Sequence, residues 1–453
     1  MSTGRLLSVE EARDRVFAAI AGPNPTEVTS LSDALGRVVA LPVRSPIPLP
    51  PWDNSAMDGY AIRSADVASA DEASPRRLEV IGEVRAGQAP DTAVRPGTAV
   101  RIATGAPVPP GADAVVPVEL TTPLDAAGDI AGPRGRDATG PLPAGCLVHA
   151  SVAAGASIRR VGSDLPADAT ILDAGTVLTP AAIGLAAGVG VDRLEVHRRP
   201  IVGVLATGDE VRAPGTDLGP AGIPDANGPG LAAMIAAAGG DPRVLGIATD
   251  RLDDVKARIA AGLVEGADMI IVSGGVSVGP YDVVRNAFEA YGSIDLWRVA
   301  VQPGKPFAFG TARAPGGAGS GGRPPTLLFG LPGNPVSTFV TFELFVRPAL
   351  RRLAGHRDDD LFRPVDRAVL AEPASKSSGR RGFLRVTVER DERGSPRRDR
   401  GGRVTAHLAG GTGGQGSHVL SALATADGLA VIPEATDELA AGAEVDVWWL
   451  DRA

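Results

Sequence analysis

The stretches IVGVLATGDE (residues 201–210), MIIVSGGVSVG (residues 269–279) and TLLFGLPGNPVS (residues 326–337) each lead from an apolar run into a glycine-rich turn. Short apolar runs without polar alternation are typical of parallel strands that are buried on both faces. In open α/β sheets the ligand lies beyond the carboxyl ends of the strands, where glycine permits close backbone approach and helix N-termini attract anions. Three such turns in one region predict an α/β domain with a site for a large anionic, phosphorylated ligand.

Residues 179–355 carry the alternation of strand and helix patterns that this prediction requires. Apolar strand patterns alternate there with helical patterns such as GLAAMIAAAGG (residues 230–240), which is typical of a doubly wound parallel sheet. The glycine- and proline-rich segment 314–325 is interpreted as a flexible loop within the domain. The last helix is predicted over residues 336–353 and ends before Gly355, because glycine is common just after a helix C-terminus.

Three further regions surround this domain. Residues 1–45 and 148–178 are assigned to a small linking domain that opens with a helix, where a serine and a glutamate three residues later form a capping box. Residues 46–147 are rich in Pro, Gly and Val and predict a mainly β domain. Residues 360–453 lose the helical period and predict a small β-barrel, with a sandwich as the alternative. Their charged stretch, residues 390–403, is interpreted as a solvated loop, with a basic docking patch as the alternative.

Composition excludes several classes of protein. The 453 residues include a single cysteine, Cys146, which rules out an intramolecular disulfide and fits a reducing compartment. The net charge of −8 argues against a general nucleic-acid-binding surface. No stretch reaches the ~20 apolar residues of a membrane span, and the N-terminus lacks the apolar core of a signal peptide. We therefore expect a cytoplasmic protein that binds no nucleic acid and has no membrane span.

Common catalytic and nucleotide-binding motifs fit poorly. The sequence has no GxxxxGK[ST] motif, no GxGxxG after the strands and no metal spacing among its five histidines. Residues 275–279 match the G-x-S-x-G of a nucleophile elbow, for which His356 and His418 are the candidate bases. The three glycine-rich turns fit a phosphate-bearing ligand better, so a hydrolase is the weaker alternative.

Two loops of the mainly β domain carry candidate binding residues. The loop PPWDNSAMDGYAI (residues 50–62) contains Asp58, a candidate for presenting a carboxylate to a ligand. The alternative is a turn whose side chains cap only local backbone groups. The loop RIATGAPVPPG (residues 101–111) places Thr104 and Gly105 after a short strand, where a hydroxyl and backbone N–H groups suit a phosphate. A structural β-turn is the alternative there.

Acidic residues follow the strands of the α/β domain. Thr207, Asp209 and Glu210 come directly after the first apolar run, and Mg²⁺ takes one or two carboxylates together with phosphates of a ligand. Asp250 follows another strand, and Asp282 opens a helix, where capping competes with a catalytic role. These positions predict a Mg²⁺ site at the same edge of the sheet as the glycine-rich turns.

Basic and amide side chains complete the set of candidates. Lys305 lies between two prolines, which hold it more rigidly than a surface lysine and suit it to a phosphate. Asn334 and Ser337 lie in GNPVS at a predicted helix N-terminus, a position that favours anions. Asp225 and Asn227 precede another helix, and pure N-capping is the alternative to a binding role for them.

Seven motifs occur along the chain in the order DNSAMDGYA, RIATGAP, GADAVV, TGDE, SGGVSVG, PGKPFAFG and GLPGNPVS. In this order and spacing they resemble the MoeA family, the molybdopterin molybdenumtransferases related to the E domain of gephyrin. The resemblance extends from the first helix to GSHVLSALATADGLAVIPE (residues 416–434). It implies an enzyme that inserts molybdate into the dithiolene of adenylylated molybdopterin, with Mg²⁺-dependent release of AMP. It also implies a MoaB/Mog-like α/β domain.

The resemblance further implies an elongated homodimer. Its active site would lie between the α/β domain of one subunit and the DNSAMDGYA-bearing domain of the other. A partner enzyme that adenylylates the pterin is implied as well. The alternative function is a non-catalytic scaffold for a cytoskeletal or other protein partner, and tungstate is the alternative oxyanion.

By position, the resemblance implies three sets of site residues. The implied catalytic residues are Asp58, Glu210, Asp250, Asp282 and Lys305. The implied substrate-binding residues are Thr104, Gly105, Asp164, Thr207, Gly208, Ser273, Gly274, Gly275, Ser277, Arg298, Pro303, Gly304, Gly333, Asn334 and Ser337. The implied Mg²⁺ ligands are Asp209, Glu210 and Asp282.

Three positions depart from the family pattern. Ser163 stands beside Asp164 where glutamate is usual, Gln302 stands where lysine is frequent, and Ala226 replaces a serine or threonine. The last two changes remove one positive charge and one hydroxyl. They predict weaker binding of molybdate or of the pterin phosphate.

Overall fold

The computed structural model describes residues 6–135, 140–275, 283–314 and 323–450. Ser277, Asp282 and most of the G-x-S-x-G match therefore lie outside the described residues. The α-helices are α1 (Val9–Ala18), α2 (Pro180–Gly188), α3 (Asn227–Ala237), α4 (Leu252–Val264), α5 (Val283–Glu289), α6 (Pro335–Thr341), α7 (Arg347–Leu353) and α8 (Leu420–Ala424). None of these described helices is long and apolar enough to cross a membrane.

The strands of the first two hundred residues are β1 (Thr26–Ser30), β2 (Val43–Arg44), β3 (Asn54–Ser55), β4 (Gly59–Ile62), β5 (Arg76–Val84), β6 (Thr98–Ile102), β7 (Ala114–Pro117), β8 (Thr121–Leu124), β9 (Gly145–Val148), β10 (Ile158–Arg159), β11 (Thr170–Leu172) and β12 (Arg193–His197). Those of the α/β region are β13 (Ile201–Thr207), β14 (Val211–Arg212), β15 (Ile223–Pro224), β16 (Asp241–Ala248), β17 (Met269–Ser273), β18 (Gly292–Arg298), β19 (Val301–Gln302), β20 (Pro306–Ala312) and β21 (Thr326–Leu331). The C-terminal strands are β22 (Val365–Leu370), β23 (Ala374–Ser375), β24 (Arg381–Val388), β25 (Val404–Leu408), β26 (Gly428–Ile432), β27 (Glu438–Leu439) and β28 (Glu444–Trp449).

The α/β domain is built on a six-stranded sheet in the order β16-β13-β17-β21-β20-β18. The first four strands are parallel, and β20 and β18 add an antiparallel edge. Along β17 the side chains alternate between two apolar cores: Met269 and Ile271 face one, Ile270 and Val272 the other. Both faces are therefore covered, which confirms the predicted doubly wound α/β domain.

The last helical stretch of this domain runs from α6 through a π-helical turn, Phe342–Val346, into α7. It ends as predicted, because Gly355 adopts a φ of +86° just beyond it. The first helix, α1, packs on the same core through Val9, Ala12 and Val16. Its predicted capping box is present: Glu11 N donates to Ser8 Oγ at 3.0 Å, and Ser8 N donates to the Glu11 carboxylate at 2.8 Å.

Packing around residues 180–197 differs from the predicted boundary at residue 179. Strand β12 pairs with β1 of the N-terminal region instead of joining the six-stranded sheet. Its Leu194 and Val196 share a small core with Val39 and with Ala186 of α2. Helix α2 and strand β12 thus belong with the linking region, because the long-range pairing of β12 with β1 determines where this segment packs.

Two β units complete the molecule. The mainly β domain is a six-stranded sheet in the order β7-β4-β6-β5-β9-β8. In the C-terminal region the strands follow the order β24-β25-β22-β28-β26, and β26 pairs back onto β24. This closure confirms the predicted barrel over the sandwich alternative. Strand β19 of the α/β region pairs in parallel with β24, so the barrel is hydrogen-bonded directly to the α/β domain.

A buried ion cluster fixes the π-helical turn. The Glu343 side chain is 1% exposed and accepts two hydrogen bonds of 2.9 Å from Arg363, with Arg347 Nε at 3.7 Å. Burial lowers the pKa of Arg347 to about 10. Glu343 thus supplies a buried negative charge to both Arg347 and Arg363, and Asp360 adds to the charge balance of Arg347.

Replacing Glu343 with glutamine should lower the free energy of unfolding by about 3–5 kcal/mol, because the buried Arg347 and the partly exposed Arg363 would lose this buried carboxylate as a counter-ion. The matched control is Glu289→Gln, which breaks an exposed pair with Arg285 on α5 and should cost less than about 0.5 kcal/mol. Urea unfolding monitored by fluorescence measures both. Equal losses in the two variants would contradict the importance of the cluster.

Candidate active site

The carboxyl ends of β13, β17 and β21 meet at one edge of the sheet and enclose a cavity of about 590 Å³, here called the glycine-loop cavity. Nine residues of the implied catalytic, substrate-binding and Mg²⁺ sets line it: Thr207, Gly208, Glu210, Asp250, Ser273, Gly274, Gly275, Gly333 and Asn334. Its size lies within the range of about 300–1,000 Å³ that is usual for small-molecule sites. Parallel strand ends converge, and this places turns that are distant in sequence around one space.

The turn after β17 requires glycine. Gly274 has a φ of +93°, and a Cβ atom there would lie 2.6 Å from the Thr207 carbonyl oxygen. The two turns can therefore approach each other only without a side chain at position 274. Ser273, which is 2% exposed, has an Oγ atom without a hydrogen-bond partner in the part of the chain that the structure describes. Its hydroxyl remains available to a ligand.

Acidic side chains form one wall of the glycine-loop cavity. Asp250 N donates to Asp209 Oδ1 at 3.1 Å, and Asp209 N lies 3.4 Å from Asp250 Oδ2, so the two turns hold each other. The Glu210 carboxylate folds back over Gly208. Within the described residues no group of three His, Cys, Asp or Glu side chains is arranged to hold a metal ion. The donor set nevertheless fits Mg²⁺, which needs only one or two carboxylates when phosphates and water supply the rest.

Helix α3 begins at this cavity. Its N-cap residue, Ala226, offers no side-chain cap, and Asp225 Oδ1 instead accepts from Gly228 N at 2.9 Å. Asn227 Nδ2 donates to the Gly333 carbonyl at 2.7 Å, which ties the start of α3 to the loop after β21. Asp225 and Asn227 therefore have structural roles and also line the cavity.

A second cavity of about 370 Å³, here called the interdomain cavity, lies between the α/β domain and the barrel. Four residues that the sequence predicted line it from the α/β side: Pro303, Gly304, Lys305 and Ser337. The barrel contributes Arg380, Arg385, Gln415 and Ser417, which the sequence analysis did not single out. The two cavities adjoin, since Lys305 and Ser417 line one and their chain neighbours Pro306 and His418 line the other.

Arg385 is the most unusual group of the interdomain cavity. It has no exposed surface, and its Nη2 atom donates to the carbonyls of Gly414 at 2.6 Å and Gly416 at 3.0 Å. Its Nε and Nη1 atoms have no hydrogen-bond partner among the described residues. Burial lowers the pKa of Arg385 to about 10, which leaves it charged at neutral pH. The sequence offers one signal that could have identified Arg385, since it is an arginine inside the otherwise apolar strand pattern GFLRVTV (residues 382–388).

The candidate residues of the mainly β domain form a separate group. Thr104 N donates to Asp58 Oδ1 at 2.7 Å, and Gly105 follows with a φ of +79°. Asp58 lines a small cavity together with Tyr60, whose buried hydroxyl has no partner among the described residues. None of the residues that line this cavity lines either of the other two.

Four described residues of the predicted substrate-binding set line none of these three cavities: Thr104, Gly105, Asp164 and Arg298. Asp164 is exposed on a turn and donates its backbone N–H to the Leu49 carbonyl at 3.0 Å. Arg298 is exposed at the end of β18. In the β18–β20 ladder Arg298 pairs with Pro306, the residue that follows Lys305.

Comparison with protein families gives matches along nearly the whole chain. Residues 7–190 match the MoeA N-terminal region (domain I and II), residues 203–352 a probable molybdopterin binding domain, and residues 367–450 the MoeA C-terminal region (domain IV). The molybdopterin molybdenumtransferase 2 of Mycobacterium tuberculosis is 37% identical over 450 residues, which cover 97% of this chain and 99% of that protein. The molybdopterin molybdenumtransferase of a Nostoc species is 34% identical, covering 93% of this chain and 88% of that protein.

Among solved structures, a molybdopterin biosynthesis MoeA protein from Pyrococcus horikoshii is similar over the whole chain. It superposes with a TM-score of 0.75 at 30% sequence identity, covering 99% of this chain and 100% of that one. The domains and their arrangement along the chain are thus shared with that protein.

Substituting Gly274 with alanine should weaken AMP binding at least about tenfold, because the turn must move away from Thr207 and lose its positive φ. Gly333→Ala is the control on the neighbouring loop, since its Cβ would meet only Gly274 Cα at an ordinary contact distance of 3.6 Å and its φ is not positive. Calorimetric titration with AMP measures both variants. The same affinity in both would contradict the need for close approach at position 274.

Proposed function

This chain belongs to the MoeA family of molybdopterin molybdenumtransferases, and we propose that it inserts molybdate into adenylylated molybdopterin with Mg²⁺-dependent release of AMP. It is an enzyme of molybdenum cofactor biosynthesis: relatives named for this activity match it at 32–37% identity over nearly its full length. The same relatives favour the enzyme over the scaffold alternative.

The observation that carries the proposed chemistry is the charge of Arg385 beside the interdomain cavity. A buried cation without a counter-ion is costly, and an anion in the adjoining space would offset that cost. Lys305 and Arg380 line the same space and form no ion pair with any described residue. We place the molybdate dianion there, since a tetrahedral oxyanion is bound well by several N–H donors and positive charges.

The glycine-loop cavity then takes the phosphate-bearing part of the pterin substrate. The turn at Gly274 and Gly275 brings the backbone close to the ligand, and the free Ser273 hydroxyl can donate to a phosphate oxygen. Because the two cavities adjoin, the bound pterin and molybdate would lie next to each other. The neighbouring positions would bring the oxyanion close to the dithiolene.

Glu210 and Asp250, which line the glycine-loop cavity, would hold Mg²⁺, with Asp209 on the turn beside them. When bound, this ion supplies charge neutralisation for the phosphates. Cleavage of the phosphoanhydride leaves negative charge on the departing AMP, and Lys305 lies at the junction of the cavities, where its ammonium group offsets that charge.

We further propose a homodimer with a shared active site. Among the described residues, those that line the cavity at Asp58 all belong to the mainly β domain, so a second subunit is the natural means of bringing it to the α/β domain. Since a chain with one cysteine forms no intramolecular disulfide, a cytoplasmic enzyme is proposed as well. A partner enzyme would deliver the adenylylated pterin.

The direct test is AMP release from adenylylated molybdopterin by the purified protein with Mg²⁺, in the presence and absence of molybdate. Molybdate-dependent release is expected. The preferred oxyanion is the one, molybdate or tungstate, that gives half-maximal AMP release at the lower concentration. Tight pterin binding without any release would instead indicate a scaffold and refute the proposed reaction.

Arg385→Gln should raise the molybdate concentration that gives half-maximal AMP release by about tenfold or more, because a charge facing the oxyanion is lost. The free energy of unfolding should also fall, by about 1–3 kcal/mol, because the hydrogen bonds from Arg385 Nη2 to the Gly414 and Gly416 carbonyls are lost. The control is Arg367→Gln, which breaks an exposed pair with Asp446 on the barrel. An unchanged molybdate dependence in Arg385→Gln would place the oxyanion elsewhere.

The shared site predicts complementation between two inactive variants. Mixed dimers of Asp58→Asn and Lys305→Ala chains should recover about a quarter of wild-type activity, because half of the dimers are mixed and each has one intact site. Mixing Asp58→Asn with Asp58→Ala is the control and should recover none. Failure of the first mixture to recover activity after demonstrated subunit exchange would show that one chain supplies the whole site.

A further inference from the structure

The described residues that the α/β domain contributes to the glycine-loop cavity carry net negative charge. Three carboxylates line it, from Glu210, Asp225 and Asp250. No lysine or arginine is among the described residues that line it. A phosphate placed there would meet net negative charge from these side chains. Among the described lining residues, only His418 can carry a positive charge.

His418 comes from the barrel, and its turn is held firmly against the α/β domain. Val336 N donates to the Ser417 carbonyl at 3.2 Å, and Asn334 Nδ2 donates to Ser417 Oγ at 3.1 Å. On the barrel side, Arg385 donates to the Gly416 carbonyl. The two residues before His418 are thus fixed, Ser417 from the α/β domain and Gly416 from the barrel, which limits where the imidazole ring can reach.

The His418 ring has space around it and makes no hydrogen bond to the described residues. A Cβ atom at Gly416 would lie 2.9 Å from His418 Cε1, so the absence of a side chain at position 416 leaves space for the ring. His418 is exposed, and neither ring nitrogen has a hydrogen bond or ion pair to the residues that the structure describes. By contrast, His407 on the same barrel is held between Glu372 and Glu389.

We propose that His418 is a catalytic residue supplied by the barrel, which donates a ring N–H to a phosphate oxygen of the adenylylated substrate in the glycine-loop cavity. The inference rests on the proposed function, because it needs the phosphate to lie there. The contact is a hydrogen bond to the adenylyl phosphate, and it forms without proton transfer. It complements the turn at Gly274, which approaches the cavity from the opposite domain.

This role predicts a dependence on the phosphate and not on the nucleoside. His418→Ala should bind AMP about ten- to a hundredfold more weakly than the wild type, while adenosine affinity stays unchanged. His418→Gln retains an N–H donor and should recover part of the AMP affinity. Because the cavity is open to solvent, added imidazole should restore AMP binding to His418→Ala and leave His418→Gln unaffected.

Calorimetric titration of the full-length protein with AMP and with adenosine carries out the test, with His407→Ala as the matched control. Equal AMP affinity in the wild type and in His418→Ala would refute the role of His418 while leaving the proposed function intact. A parallel loss of adenosine binding in His418→Ala would also refute it, because a purely structural role would affect both ligands. If the wild type binds no AMP at all, the proposed function itself fails.

Discussion

The contact between the barrel turn at residues 414–418 and the start of α6 is the constraint on which both cavities depend. Ser417 receives hydrogen bonds from Val336 N and from Asn334, and Arg385 anchors the same turn from within the barrel. The pairing of β19 with β24 adds a second link between the domains. Because these bonds fix the barrel relative to the sheet edge, side chains from two domains can face one substrate.

The charges on the two sides of this contact differ in sign. Carboxylates dominate the glycine-loop cavity, whereas Lys305, Arg380 and Arg385 surround the interdomain cavity. Such a division suits a reaction that joins two anionic substrates, since each would otherwise repel the other. It also gives the departure at Gln302 a structural meaning: its Oε1 atom accepts from Ser377 N at 2.7 Å and helps to close the interdomain cavity. A lysine at that position could not accept this bond.

Much of the fold and part of the site follow from local sequence. Gly274 and Thr207 were predictable, because buried parallel strands end at the same edge and their turns need glycine there. Arg385 and His418 were not assigned to the site, because their positions depend on barrel closure and on docking between domains, which no local pattern encodes. The same limit explains residues 180–197, whose packing follows from pairing with β1, a strand more than 150 residues away in sequence. Asp58 was recognisable from its motif, but the sequence around it does not determine whether it contributes to a site in its own subunit or in a second subunit.

We propose that the oxyanion and the phosphate occupy adjoining but different cavities on either side of the barrel contact. A crystal of the protein grown with molybdate and AMP, measured at the molybdenum absorption edge, would locate both ligands. We expect an anomalous peak in the interdomain cavity, near Lys305 and Ser417, with the AMP phosphate separately in the glycine-loop cavity. Molybdenum in the glycine-loop cavity, or only beside Asp58, would refute this placement.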